Sequence, residues 1–337
     1  MNIFPSKNPI CVGPMSSEVI ESVFKFSDLN NREMMLISSK NQIDYKSGYV
    51  NSWNTKQYKL FLDKMKNKYS KSNVKICRDH CGPGFNGNYS LKDTYNTISS
   101  DIENNFDLIH IDFSKLEDDY KKILNHSKKA IKFAQSLNAS IGIEVGTDEN
   151  LGQKFSNMHI SDFEDELKFF LEFIEPKFFV VPTGSLVLED YQVGKFNKFF
   201  VNNLKNKISN FNIKLKEHNA DYFNKEDLSH RKNIIDALNI APQFGVNQTQ
   251  ILINNCQIYG INSNNFLEKS YSSKKWEKWL HTNNKENKLL CAILAGHYNF
   301  DTYEYKKLIE QLNNFTDIEN NYINSHYEII DFYSQNF

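Results

Sequence analysis

Short β-rich runs alternate with longer helical patterns over roughly the first 240 residues, and this rhythm constrains the fold more than any other feature of the chain. The β-rich runs are "NPICVGPM" (8–15), "EMMLISSK" (33–40), "NVKICRDH" (73–80) and "FDLIHIDFS" (106–114). They continue with "NASIGIEVG" (138–146), "PKFFVVPTG" (176–184), "FNIKLKEHN" (211–219) and "NIIDALNIAP" (233–242). Between them lie helical stretches such as "TKQYKLFLDKMKNKY" and "SDFEDELKFFLEFI", where Phe163, Leu167, Phe170, Leu171 and Ile174 recur at helical spacing. Strand–helix alternation of this number and length predicts an α/β fold, a (β/α)8 TIM barrel over residues 1–261. A doubly wound open sheet is the competing architecture, but no G-x-G-x-x-G follows the first strand. Residues 262–337 read as a C-terminal helical extension packed on the barrel, with "SSKKWEKWL", "ENKLLCAILAGHY" and "YEYKKLIEQLNNF" as its helical patterns.

Composition narrows the function classes. The 337 residues are 40% hydrophobic and 14% aromatic, which supplies a large core and excludes a disordered chain. Lys+Arg 40 against Asp+Glu 41 leaves a net charge of -1, with no basic stripe of the kind that binds nucleic acid. Cys11, Cys77, Cys81, Cys256 and Cys291 form no regular framework, as expected of a reducing compartment. Cys77 and Cys81 have no matching pair that would make a zinc knuckle. No signal peptide or membrane-length apolar segment is evident, so a soluble, cytoplasmic protein is expected.

In a barrel of this kind functional side chains collect at the C-terminal ends of strands. The polar residues fall there. Strand three ends in Asp79-His80, strand four in His110 and Asp112, strand five in Glu144, and strand seven in Glu217-His218-Asn219 followed by Asp221. Strand two ends in Ser38, Ser39, Asn41 and Gln42, and strand eight contributes Asn239. Imidazoles and a carboxylate converging on one barrel mouth make a ligand set for Zn²⁺, with Mn²⁺ or Co²⁺ as alternatives. Such an ion polarises a carbonyl and stabilises an enediolate while a nearby carboxylate moves the proton. Each residue also has a plainer reading: His80 as a turn cap, His110 with Asp112 as a satisfied buried polar pair. Lys216, on the same strand face as His218, offers Schiff-base chemistry as the other route to an aldol reaction. His126, His159, His230, His281 and His326 read as solvated, and His297 stays open. Lys274, Lys275 and Lys278 beside Trp276 and Trp279 read as the charged face of a helix, with phosphate binding as a second role.

"VKICRDHCGPG" (74–84) places Asp79 and His80 on opposite strand faces by alternation. The Gly-Pro-Gly turn after them is expected to break that alternation and bring both to the mouth.

These motifs resemble, in order, a known set. "ISSKNQIDYKSGYVN" (37–51), "RDHCGPG" (78–84), "IHIDFS" (109–114), "IGIEVG" (141–146), "EHNADYF" (217–223) and "NIAPQFG" (239–245) are similar to motifs of the tagatose-bisphosphate aldolase family of the accessory-subunit type, whose members resemble class II aldolases. "KSYSSKKWEKW" (269–279) resembles the tyrosine-, serine- and basic-rich segment that follows the family's barrel. The resemblance implies a TIM barrel and a divalent-metal-dependent aldolase acting on a phosphorylated ketose. Asp79 would be the proton carrier, and His80, Glu144, His218 and His110 the metal ligands. Asn41, Gln42, Asp112, Asp221 and Asn239 would orient the substrate, with phosphate near Gly245 at a helix start. It also implies two alternatives: a ketose-phosphate epimerase working by retro-aldol cleavage and re-addition, or a non-catalytic subunit stabilising a partner aldolase. A homo-oligomer is a further expectation of the same kind. The chain departs from the family at "CVGPMSS", where a histidine is lost. It departs again at "VGTDENLG" in place of a Pro-Gly-rich loop, at "VPTGS" ending strand six, and at Asn239 in place of a lysine.

Overall fold

The computed structural model describes residues 9–116, 119–147, 160–208, 211–281 and 284–337. Strands β1 (Ile10–Val12), β2 (Glu33–Ser39), β3 (Asn73–Cys81) and β4 (Leu108–Ile111) are followed by β5 (Gly142–Gly146), β6 (Phe178–Val180), β7 (Lys214–Glu217) and β8 (Ala237–Ile240). They pair in parallel, in sequence order, and β8 closes back onto β1 through Ile10 opposite Leu238 and Val12 opposite Ile240. This is the predicted (β/α)8 barrel; seven strands lie within the runs expected to form them, and β3 extends one residue beyond its run to Cys81. A two-stranded hairpin, Val187–Leu188 with Tyr191–Gln192, sits in the loop after β6.

Alternation along each strand divides the apolar residues between two cores. Cys11, Met35, Ile37, Cys77, Leu108, Phe178 and Ala237 point inward and pack together inside the barrel. Their strand neighbours, among them Val12, Leu36, Ile109, Val145, Leu215 and Leu238, face outward into the larger cluster beneath the helices.

Local chemistry sets the helix starts. Ser16 caps α1 (Ser17–Asn30) by accepting from the backbone N–H of Val19, and Asn31 ends it in the left-handed conformation. Asn54 and Gln57 form a capping box on α2 (Thr55–Lys68), as Asn224 and Asp227 do on α7 (Lys225–Arg231). Between these lie α3 (Leu91–Glu103), α4 (Tyr120–Leu137), α5 (Ile160–Leu171) and α6 (Lys198–Ile208); Pro242 opens α8 (Pro242–Ile258) at the position where a missing N–H costs nothing.

The C-terminal segment supplies α9 (Asn264–Ser272), α10 (Lys288–Ala295), α11 (Tyr303–Leu312) and α12 (Ile318–Asn336). Helix α12 lies along α1, and its Ile330 and Tyr333 belong to the same core as the barrel helices. The helical reading of "SSKKWEKWL" is corrected: α9 stops at Ser272, Lys274 is left-handed, and only a 3-10 turn forms at Glu277–Trp279. His326 is also corrected. It faces inward from α12 and is fully buried against Phe244, because one side of that helix is covered by α1 and α8. His230 is exposed as expected, His126 and His281 are half-buried, and His159 lies outside the described residues.

Outward-facing charges tie strands to helices. The Arg78 guanidinium is buried and donates to both carboxylate oxygens of Asp101 on α3, at 2.7 and 2.6 Å, and to the carbonyls of Ser38 and Ile43. On β7, Glu217 likewise turns away from the barrel axis and accepts from Arg231 of α7 at 2.8 Å, with Thr183 donating to it at 2.7 Å. No helix among the described residues is long and apolar enough to cross a membrane.

Candidate active site

The C-terminal ends of β3, β4 and β7 deliver Asp79, His80, His110 and His218 to one place. One potential ligand atom from each lies within 4.8 Å of the others. Asp79 and His80 reach it together because β3 is irregular there. The register against β4 shifts between Arg78 and Cys81, and His80 takes a left-handed φ of 41°. The expected break at Gly-Pro-Gly therefore falls earlier, at His80 itself, and the strand continues to Cys81. Gly82 serves close packing instead. A Cβ there would lie 1.5 Å from the Asp112 carbonyl oxygen, so glycine lets the end of β3 press against the segment after β4.

Asp79 Oδ1 is buried and has no hydrogen-bond partner among the described residues. It stands 3.9 Å from His80 Nε2, 3.8 Å from His110 Nδ1 and 3.8 Å from His218 Nε2. These spacings are too long for hydrogen bonds and suit ligands arranged around a cation, since donors about 2 Å from Zn²⁺ are necessarily well over 3 Å apart. The outer nitrogens of two rings are held as metal-binding histidines require, while His218 Nδ1 lies 3.1 Å from His80 Nε2. His80 Nδ1 donates to Asp112 at 2.7 Å, and His110 Nε2 donates to the Gly146 carbonyl at 2.8 Å. His110 Nδ1 then carries the ring's one lone pair; it accepts from the His80 backbone N–H at 3.3 Å and lies 3.8 Å from Asp79 Oδ1. The donor set thus fits a divalent ion.

Electrostatics agree. Burial opposes ionisation of Asp79, yet His80, His218 and His110 outweigh it and hold the carboxyl well below the usual range. Burial likewise opposes charge on His80, but Asp79 and Asp112 push that imidazole up to about 9. The cluster favours positive charge at its centre, whether a proton or a metal supplies it.

Glu144 lies beside this group rather than in it. Its Oε2 accepts from Lys216 Nζ at 2.7 Å, and its Oε1 is 3.4 Å from His218 Nε2 and 3.7 Å from His110 Nδ1. Burial would raise the Glu144 carboxyl, but Lys216 and the imidazoles bring it down to about 2. Lys216 is itself buried. Burial would lower its pKa, yet Glu144 holds the ammonium well above its ordinary value. A protonated, ion-paired lysine is a poor nucleophile, which removes the basis for a Schiff base.

A cavity of about 450 Å³ opens above the cluster. Asn41, Gln42, Asp79, His80, His218, Asp221 and Asn239 line it, as their strand-end positions predict. Asp112, expected to orient substrate, accepts from His80 Nδ1 at 2.7 Å and from the Ser114 N–H at 2.8 Å, because the residue after β4 turns toward β3. Gly245, expected near a phosphate, is not among the residues lining the cavity. It lies in the first turns of α8 against His297, where a Cβ would come within 2.7 Å of that side chain, and the cavity wall is formed by Ala241 and Pro242 instead. Strand-end reasoning does not place Lys278, Trp279, His297 and Tyr298 of the C-terminal segment, or Lys115 and Phe85, at the mouth, yet all six line it. The basic and aromatic residues of "KKWEKW" are the one sequence signal that points there.

Fold and site together define a (β/α)8 barrel carrying a histidine–carboxylate cluster at its strand ends. Solved structures share the architecture. A probable tagatose 6 phosphate kinase from Sinorhizobium meliloti 1021 superposes with a TM-score of 0.79 at 12% identity, over 96% of this chain and 93% of its own. A fructose-bisphosphate aldolase (Fba) from Campylobacter jejuni gives 0.56 at 13% identity over 91% and 90%. The YdjI aldolase from Escherichia coli K12 gives 0.51 at 11% over 92% and 91%. At these identities the likeness is one of fold. No family model matches the sequence, and no curated protein matches it.

Proposed function

We propose that the protein is a divalent-metal-dependent aldolase acting on a phosphorylated ketose. The observation that carries this reading is the buried Asp79 Oδ1 with three imidazole nitrogens 3.8–3.9 Å away. His80, His110 and His218 would hold the ion, Zn²⁺ by its preference for imidazole, and Asp112 and the Gly146 carbonyl orient two of the rings. Bound there, the ion supplies Lewis-acid polarisation of the ketone.

Asp79 moves the proton. Its side chain is 18% exposed and lines the cavity, whereas Glu144 is fully buried below it. In cleavage, a base takes the proton of the hydroxyl β to the ketone, and the carbon–carbon bond breaks as that oxygen becomes a carbonyl. The electron pair passes into the ketone-bearing fragment, whose carbon then takes up a proton. Glu144, paired to Lys216, fixes His110 and His218 from beneath. Lys115 at the mouth would meet the phosphate.

A second reading, retro-aldol epimerisation, gains support from the C-terminal residues lining the cavity, which would help retain two fragments until they rejoin. Metal analysis combined with ketose-phosphate turnover tests both. Triose-phosphate release indicates an aldolase, and a stereoisomeric ketose phosphate seen by ¹³C NMR indicates an epimerase. Zn²⁺ bound without turnover, but with activation of a co-purified aldolase, would make the chain an accessory subunit. Absence of metal binding after Zn²⁺ or Mn²⁺ loading would overturn the enzyme reading.

A further inference from the structure

His297 reaches the cavity from outside the barrel. It lies in the turn Gly296–Asn299, is buried, and has no hydrogen-bond partner on either ring nitrogen among the described residues. Asn239, at the mouth end of β8, is 5% exposed, and both its amide oxygen and its amide nitrogen are likewise without partners among the described residues. Both side chains line the cavity that contains Asp79. An unpaired buried polar group costs roughly 1–3 kcal/mol. Two such side chains lining one cavity mark a surface made to be completed by a ligand.

The placement of His297 is built into the fold. Gly245 of α8 admits its side chain, and a Cβ on Gly296 would come within 2.4 Å of Thr249, so two glycines let the turn sit directly on α8. Burial, and then the nearby Lys278 charge, push the imidazole down to about 3, so it is neutral at physiological pH. A neutral imidazole offers one donor and one acceptor, and the Asn239 amide offers both kinds. A hydroxyl group gives and takes hydrogen bonds and matches that mixture. A phosphate only accepts, and it would leave the imidazole lone pair and the amide oxygen facing an anion.

We infer that His297 and Asn239 form a subsite for uncharged hydroxyls of the sugar chain, so that the ligand end lying there carries no phosphate. The assignment rests on the reading of the cavity as a ketose site. It makes His297 and Asn239 specificity-determining residues, and it accounts for an asparagine on β8 where the family resemblance has lysine.

The full-length chain labelled with ¹⁵N-histidine tests it by long-range ¹H–¹⁵N spectra. D-tagatose at high millimolar concentration should shift the His297 ring nitrogens while the ring stays neutral, and inorganic phosphate at equal concentration should not. Asn239→Leu should weaken the D-tagatose response about tenfold, as loss of one hydrogen-bonding partner does. If that variant does not fold, the wild-type comparison of the two probes decides. A His297 unmoved by D-tagatose, or driven toward imidazolium by phosphate, would overturn the subsite. Zn²⁺ addition separates the two readings: it should shift His80, His110 and His218. If it leaves them unmoved while D-tagatose still shifts His297, the aldolase reading falls and the hydroxyl subsite stands.

Discussion

Glu144 on β5 and Lys216 on β7 meet inside the barrel at 2.7 Å, and the other Glu144 oxygen lies 3.4 Å from His218. The pair is buried and spans a position that β6 separates in the sheet. Lys216→Met therefore leaves a carboxylate without its counter-charge in a dry interior, at a cost of about 3–5 kcal/mol. The double variant Glu144→Leu with Lys216→Met should lose less than Lys216→Met alone. Urea unfolding of the variants checks this, and a double variant as unstable as the sum of the singles would refute the coupling.

Metal affinity should depend on Asp112 although it sits behind His80. Asp112→Asn weakens the bond that orients the ring and should lower Zn²⁺ affinity about 10–100-fold. His80→Ala should lower it further. Competition with a chromophoric chelator measures both, and an Asp112→Asn protein that holds Zn²⁺ as tightly as wild type would argue against the assigned role.

Arg78 is a structural anchor despite its place one residue before Asp79. Its four hydrogen bonds join β3 to α3, to the end of β2 and to the segment after it. Arg78→Met should destabilise the chain by roughly 3–5 kcal/mol, because Asp101 is left buried and uncompensated. Exchanging the exposed i,i+3 pair of Lys168 and Asp165 should change stability by under about 1 kcal/mol. Equal effects at the two sites would contradict the distinction.

Asp221 predicts a pH signature. Burial pushes its carboxyl from the ordinary 3.8 up to about 7, even though it accepts backbone N–H groups of Ala241 at 3.0 Å and Gln243 at 2.8 Å. Between those values the folded chain keeps a proton that the unfolded chain has released, so stability falls as pH rises from 3.8 to about 7 and then levels. Asp221→Asn keeps the acceptor oxygen and removes the charge. It should match wild type near pH 4 and exceed it by roughly 2–4 kcal/mol at pH 8. Parallel stability curves across that range would assign the slope to another group.

The barrel is legible in the sequence because its signal is local. Each strand is a short apolar run with a polar end, and alternation alone separates Glu217, which pairs with Arg231, from His218, which faces the cavity. Alternation also explains why Arg78 and Asp79 have different fates. What the sequence does not reveal is non-local. Glu144 and Lys216 meet across an intervening strand, and no spacing along the chain announces it. His297 enters the cavity from a turn more than fifty residues beyond β8, held there by glycines whose purpose appears only when α8 packs on it. In β3 the left-handed residue, His80, falls two positions before the Gly-Pro-Gly, which is the stronger local signal for a break.

That conformation at His80 carries an evolutionary signature. A non-glycine residue held at positive φ costs on the order of 1 kcal/mol, and asparagine or glycine would relieve it. A role for the imidazole, such as the metal-holding one proposed above, would offset that cost. Descendants that abandoned the chemistry but kept the scaffold should drift to asparagine or glycine there, gaining stability as they do so. The residue at position 80 would then distinguish working copies of this barrel from retired ones.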